Sequence, residues 1–299
     1  MVAVSFRRLG ASNLQAWPCI LLLAVLAFGH RVATLFKDSP PSSRGYSTLP
    51  KAQAGNITSA AMAEQGKQVP RHDEESGYRY WIYTPASHDV KRKWPLLIFL
   101  HGAGESGTNL DDMISVGATG CPPVELANGT ASPTLTENFI VASPQTNAGW
   151  GDVSKLKSFV RNLIDSADLA VDESRVYCTG VSMGGGGAWL AGATGRFAAV
   201  APVCGAARAD PSTLDGVDVW AFHGSNDVVV PASVTDYNVE RLNDRRASDE
   251  KAGNPVKYTR YEKSPPPVGW DHYDGHASWM QAYKGDELWN WFLMKSRHP

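Results

Sequence analysis

The stretch Arg175-Val176-Tyr177-Cys178-Thr179-Gly180-Val181-Ser182-Met183-Gly184 constrains this chain more than any other. A β-type run leads into a serine with a glycine two residues to either side, and more glycines and Ala188-Trp189-Leu190-Ala191 follow. That order reads as strand, sharp turn and helix, with the serine at the apex. Side chains beside the serine would crowd so tight a turn. The strained backbone pushes the hydroxyl into the open, and the next helix aims its N-terminal N–H groups at the same space. The pentapeptide alone also fits a plain glycine-rich strand-to-helix connection, so the decision falls to the rest of the chain.

A serine hydroxyl becomes a good nucleophile only when a base takes its proton and a carboxylate orients that base. Val217-Asp218-Val219-Trp220-Ala221-Phe222 reads as a buried strand that ends in His223-Gly224-Ser225-Asn226-Asp227. Asp227 then stands on the loop beyond the strand. Val256 to Tyr261 reads as a further strand, and the Pro- and Gly-rich loop after it carries Gly275-His276-Ala277-Ser278-Trp279. The candidate triad is therefore Ser182, Asp227 and His276, each on a loop after a strand. His272 is the rival base. Asp215 and Asp218 precede or lie within the strand, while Asp271 and Asp274 share the loop of the base and read as solvated. His223 reads as a structural member of the turn that aims Asp227. His72, among Asp73, Glu74 and Glu75, reads as part of a charged surface loop rather than a metal site, since no second ligand cluster accompanies it. His30, His88 and His298 read as incidental.

Acyl transfer also needs N–H donors for the carbonyl oxygen as it turns negative. The run Pro95-Leu96-Leu97-Ile98-Phe99-Leu100 is apolar throughout, as a strand buried on both faces should be. It opens into His101-Gly102-Ala103-Gly104-Glu105-Ser106-Gly107. The expected oxyanion donors are the backbone N–H groups of Ala103 and Met183, with Gly104 as a substitute for Ala103.

These segments, with Val171 to Tyr177 and Phe139-Ile140-Val141-Ala142-Ser143-Pro144-Gln145, resemble the α/β-hydrolase superfamily. Within it they are more similar to the phospholipase/carboxylesterase and feruloyl-esterase-like branch, whose members are often described as predicted esterases or peptidases. The resemblance covers roughly residues 75 to 296. It implies serine hydrolase activity on an ester and no cofactor. No lid insertion is recognisable, which argues against long-chain lipase activity. The alternatives are a serine peptidase with the same triad and a non-catalytic binding protein on a hydrolase fold.

Strands alternating with helices predict an α/β fold, with a mostly parallel central sheet covered by helices on both faces. Val153, Leu156, Phe159, Val160, Leu163 and Ile164 recur at helical spacing. Tyr78 to Tyr83 and Phe197 to Val203 read as strands, and Leu288, Trp289, Trp291 and Phe292 mark a closing helix. Loops at the carboxyl ends of the parallel strands would converge on one crevice. A catalytic domain over residues 73–299 is large enough for one core. With a net charge of −2 there is no basic patch, so nucleic acid is not an expected partner, and a small-molecule ester is. Among ten tryptophans, Trp150, Trp270 and Trp279 fall near the candidate site. The cysteines beyond Cys19, namely Cys121, Cys178 and Cys204, read as buried thiols, with a Cys178–Cys204 bridge as the other option.

Arg7 and Arg8 precede about 14 apolar residues, nearer to a signal-peptide core than to the about 20 of a membrane span. Residues 1–36 are accordingly expected to be a signal peptide or an uncleaved signal anchor. Either would send the protein into the secretory pathway, secreted or held by one membrane segment. The sequons Asn56-Ile57-Thr58 and Asn128-Gly129-Thr130 fit that compartment. Residues 37–72 are expected to form a flexible linker. Nothing in the sequence sets an oligomeric state.

Overall fold

The computed structural model describes residues 65–266 and 269–297. The apolar N-terminal segment, most of the expected linker, the first sequon, His30 and His298 lie outside these residues. No described helix is long and apolar enough to cross a membrane.

Eight strands form one sheet: β1 (Gln68–Asp73), β2 (Tyr78–Tyr83), β3 (Trp94–Leu100), β4 (Ile140–Gln145), β5 (Val171–Val181), β6 (Ala199–Val203), β7 (Asp218–Gly224) and β8 (Lys257–Tyr261). Their order across the sheet is β1-β2-β4-β3-β5-β6-β7-β8. The β1–β2 and β2–β4 pairs are antiparallel, and every later pair is parallel. Among the described residues seven α-helices accompany them: α1 (Pro122–Asn128), α2 (Pro133–Asn138), α3 (Val153–Asp165), α4 (Met183–Ala191), α5 (Ser233–Ser248), α6 (Trp279–Ala282) and α7 (Glu287–Leu293).

Alternation along the strands divides the core into two layers. Leu96, Ile98 and Leu100 of β3 and Val176 and Cys178 of β5 join Leu156, Phe159 and Val160 of α3 and Trp189 of α4 in one apolar cluster. The intervening residues face the other way: the Tyr177 ring stacks on Phe292 of α7 at 4.9 Å, and Phe99 meets Tyr283 edge-on at 6.2 Å. Because both faces are covered, all seven residues of β3 are buried, which is why that run shows no polar alternation. Helix α3 follows its periodicity, and the Asp152 side chain caps it by accepting from Lys155 N at 2.9 Å.

The folded region starts earlier than expected. Residues 68–72, which the sequence places in the linker, join Asp73 in an edge strand on β2. Its residues are all half-buried, so it lacks the apolar alternation that would reveal it, and Pro70 is tolerated because an edge strand leaves one side unpaired. Arg71 ties it to Asp168 at 2.7 Å. His72 consequently belongs to a strand rather than a loop, with Nδ1 3.0 Å from Glu74 Oε1. His88 is buried, with Nε2 3.0 Å from Leu169 O, and so has a packing role. Cys121, Cys178 and Cys204 are free and buried, without a Cys178–Cys204 bridge.

Candidate active site

Ser182 sits between β5 and α4 with φ 55° and ψ −114°, a conformation that non-glycine residues rarely adopt. Close packing holds it there. A Cβ on Gly180 would stand 2.5 Å from Gly184 O, and one on Gly184 would stand 1.9 Å from Leu100 O. The glycines thus let β3, β5 and the first turn of α4 meet backbone to backbone. Ser182 N donates to Val203 O at 3.0 Å, and Ser182 O accepts from Gly186 N at 2.9 Å. Met183 opens α4 and Ala103 opens the short turn Ala103–Glu105, positions whose N–H groups have no partner inside a helical turn.

The loop after β3 is splinted by the end of β4. His101 Nε2 accepts from Thr146 N at 3.0 Å, so the ring proton is on Nδ1, which donates to Gly102 O at 2.6 Å. Burial, partly opposed by that bond, lowers the His101 pKa to about 4, so this imidazole stays neutral. Gln145 Nε2 donates to Glu105 O at 2.9 Å and Asn109 O at 2.8 Å. The indole of Trp150 donates to His101 O at 3.0 Å. Glu105 turns its carboxyl inward, with Oε2 3.2 Å from where a Gly102 Cβ would be. Burial, partly opposed by the N–H groups of Glu105 and Gly102 and aided by the Asp112 charge, pushes its pKa up to about 7. Neither Gln145 nor Glu105 stands out in the sequence as a site residue.

Asp227, on the loop beyond β7, has a fully buried carboxylate with every side served. Oδ1 accepts from the N–H groups of Val229 and Val230, each at 2.8 Å. Oδ2 accepts from His276 Nδ1 at 2.8 Å and from His223 Nε2 at 3.1 Å. Burial raises its pKa, but the bonds from His223 and His276 and the nearby His276 outweigh that and hold the carboxyl far below the usual aspartate range. His276 is 1% exposed, and Tyr273 (6.0 Å) and Trp279 (5.8 Å) pack around its ring. Gly275, at φ 77°, lets the histidine loop touch the aspartate loop: a Cβ there would lie 2.2 Å from Asn226 C.

The structure therefore joins Asp227 to His276 directly. It does not join Ser182 to His276: among the described residues the Ser182 hydroxyl makes no hydrogen bond. Cys204 lies behind the serine. That residue has φ 42°, and its sulfur accepts from Ser182 N at 3.3 Å. Burial, reinforced by the Asp227 charge, pushes the Cys204 pKa up and keeps it a neutral thiol. The competing carboxylates lie elsewhere. Asp215 pairs with Arg245, Asp218 accepts from Asn254 Nδ2 at 3.1 Å, and Asp274 accepts from Asn226 Nδ2 at 3.0 Å. The His272 side chain is outside the described residues.

No family model matches the chain. It is 26% identical over 190 residues to the probable feruloyl esterase C of Aspergillus terreus, covering 59% of this chain and 67% of that protein. The probable feruloyl esterase C of Aspergillus niger is 26% identical over 236 residues, covering 73% and 84%. The crystal structure of a thermostable esterase superposes with a TM-score of 0.57 at 29% identity, over 77% of this chain and 63% of that one. The chain has an α/β-hydrolase fold. It spans less than two thirds of the esterase of known structure. The candidate residues stand on loops at the carboxyl ends of the parallel strands, where ligands bind in open α/β sheets.

Proposed function

We propose that this α/β-hydrolase cleaves carboxylic esters through an acyl-enzyme on Ser182. The observation that carries the reading is the 2.8 Å bond between His276 Nδ1 and a saturated Asp227 carboxylate, on loops at the same, carboxyl end of the parallel strands as a strained elbow serine. The names of its relatives, which are esterases, support an ester rather than a peptide substrate.

With Nδ1 bonded to Asp227, His276 has Nε2 left to take the Ser182 proton as Oγ attacks the ester carbonyl. The Ser182–His276 hydrogen bond forms when substrate is bound, as catalytic contacts are often open in the apo state. The N–H groups of Ala103 and Met183 hold the oxyanion, and Asp227 stabilises the imidazolium. The intermediate collapses, and the alcohol leaves with the proton from His276 Nε2. Water, deprotonated by the same nitrogen, attacks the acyl-enzyme and releases the acid, and Ser182 recovers its proton.

Ser182→Ala is expected to abolish turnover of p-nitrophenyl acetate and labelling by a fluorophosphonate probe while the melting temperature stays close to wild type. Full activity in that variant would refute the assignment. Faster cleavage of aminoacyl anilides than of aryl esters by the wild type would replace the esterase with a peptidase.

A further inference from the structure

One buried imidazole has no part in that mechanism. His223, in β7 and wholly buried, places Nε2 3.1 Å from Asp227 Oδ2 and 2.9 Å from Val230 O. Its Nδ1 is 2.8 Å from Thr235 Oγ1. A carboxylate and a backbone carbonyl only accept, so Nε2 carries a proton, while the Thr235 hydroxyl can serve Nδ1 in either role. Two imidazole N–H groups thus converge on one oxygen, since His276 Nδ1 reaches the same Oδ2.

We propose that His223 is a positioning residue of the ester-cleaving centre: its N–H on Asp227 Oδ2 weakens the carboxylate's hold on His276 and so lowers the pH at which His276 becomes protonated. This rests on the triad reading above. Each donor to an ionised carboxylate disperses its charge and makes it a poorer base toward the next. A carboxylate that His276 had to itself would favour the imidazolium more strongly. His223 also orients the carboxylate from the β7 side, opposite the loop that carries His276.

The other groups around the pair do not duplicate this effect. Cys204, behind the serine, is a neutral thiol. Tyr273, stacked on His276, is kept un-ionised by burial and by the Glu105 charge, and Glu105 itself lies across the crevice on the oxyanion loop. Asp274 is engaged by Asn226. Arg260, opposite His223 in β8, and Asp236, next to Thr235 in α5, pair with each other at 3.3 Å.

The test is kcat/KM for p-nitrophenyl acetate against pH for wild type, His223→Leu and His223→Gln, where the acid limb reports the free-enzyme base. The leucine variant is expected to move that limb upward by about one pH unit, a tenfold change in proton affinity, with kcat lowered and KM little changed. The glutamine variant, whose amide restores an N–H donor, is expected to return the limb toward wild type. A leucine variant that reacts with the fluorophosphonate probe yet keeps the wild-type limb overturns the proposal. Failure of the wild type to react with the probe would instead sink the triad reading, so the two failures are distinct. If the leucine variant does not fold, nitrogen-15 spectra of the wild-type histidines decide: Nε2 of His223 is expected to stay protonated on both sides of the limb, and a bare Nε2 overturns the proposal.

Discussion

Gly184→Ala tests the packing that creates the elbow. The added methyl would lie 1.9 Å from Leu100 O, 2.4 Å from Leu100 C and 2.6 Å from His101 O. A C···O approach of about 3.3 Å is the usual lower end, so the shortest of these is too close by about 1.4 Å. All three obstacles are backbone atoms of β3 and the oxyanion loop, so no rotamer change relieves them, and α4 has to back away from the sheet. Overpacking that side chains can absorb costs about 1–3 kcal/mol; a backbone obstacle puts this site at the top of that range. Alanine returns about 1 kcal/mol through helix propensity, leaving a net loss of about 2 kcal/mol. For a domain of this size that is a fall in melting temperature of about 4–8 °C, read by differential scanning fluorimetry. Moving α4 also shifts the Met183 N–H away from Ser182, so fluorophosphonate labelling should slow by at least tenfold. Gly187→Ala provides the contrast, because its new methyl meets side-chain atoms of Trp150 at 2.6 Å and Leu100 at 2.8 Å, and its effect should be smaller on both measures. A Gly184→Ala protein with wild-type melting and labelling would refute the argument that glycine is required there for contact.

Glu105→Gln removes a carboxyl whose folded pKa of about 7 lies above its unfolded value of 4.5. The wild type binds the extra proton when folded, so it loses stability as pH rises from 4.5 toward 7, by at most about 3 kcal/mol. The variant should therefore gain on wild type in melting temperature as pH rises from 5 to 7 and hold that gain above; a gap that does not widen over that window would rule out the buried-acid account. Gln145→Ala deletes the two hydrogen bonds from Nε2 that splint the oxyanion loop. Its kcat for p-nitrophenyl acetate should drop about tenfold, the effect of about 1.4 kcal/mol on a barrier, with the Ser182 labelling rate falling in parallel. Unchanged kcat would mean that the loop holds its shape without β4.

Much of the candidate site could be read from local sequence because its parts are local devices. A turn that needs glycine, a strand that is apolar on both faces and a helix with its stripe each leave a mark within about ten residues. That is why β3, α3, α7 and the elbow match their expected positions closely, and why Asp227 and His276 could be selected by their place after β7 and β8. The edge strand β1 left no such mark. Its half-buried residues take their conformation from pairing with β2, a contact that composition does not encode.

Chemistry-bearing residue types and their order along the chain follow from the covalent sequence alone, as does the layering of helix on sheet, since both depend on short-range pattern. That two histidines converge on one oxygen of Asp227, that Cys204 backs the serine, and that Gln145 and Thr146 brace the loop after β3 emerged only on folding. Those contacts join positions up to 49 residues apart, at distances where a shift of one ångström makes or breaks a hydrogen bond. Only the assembled sheet, with its strands locked in register, places them that closely.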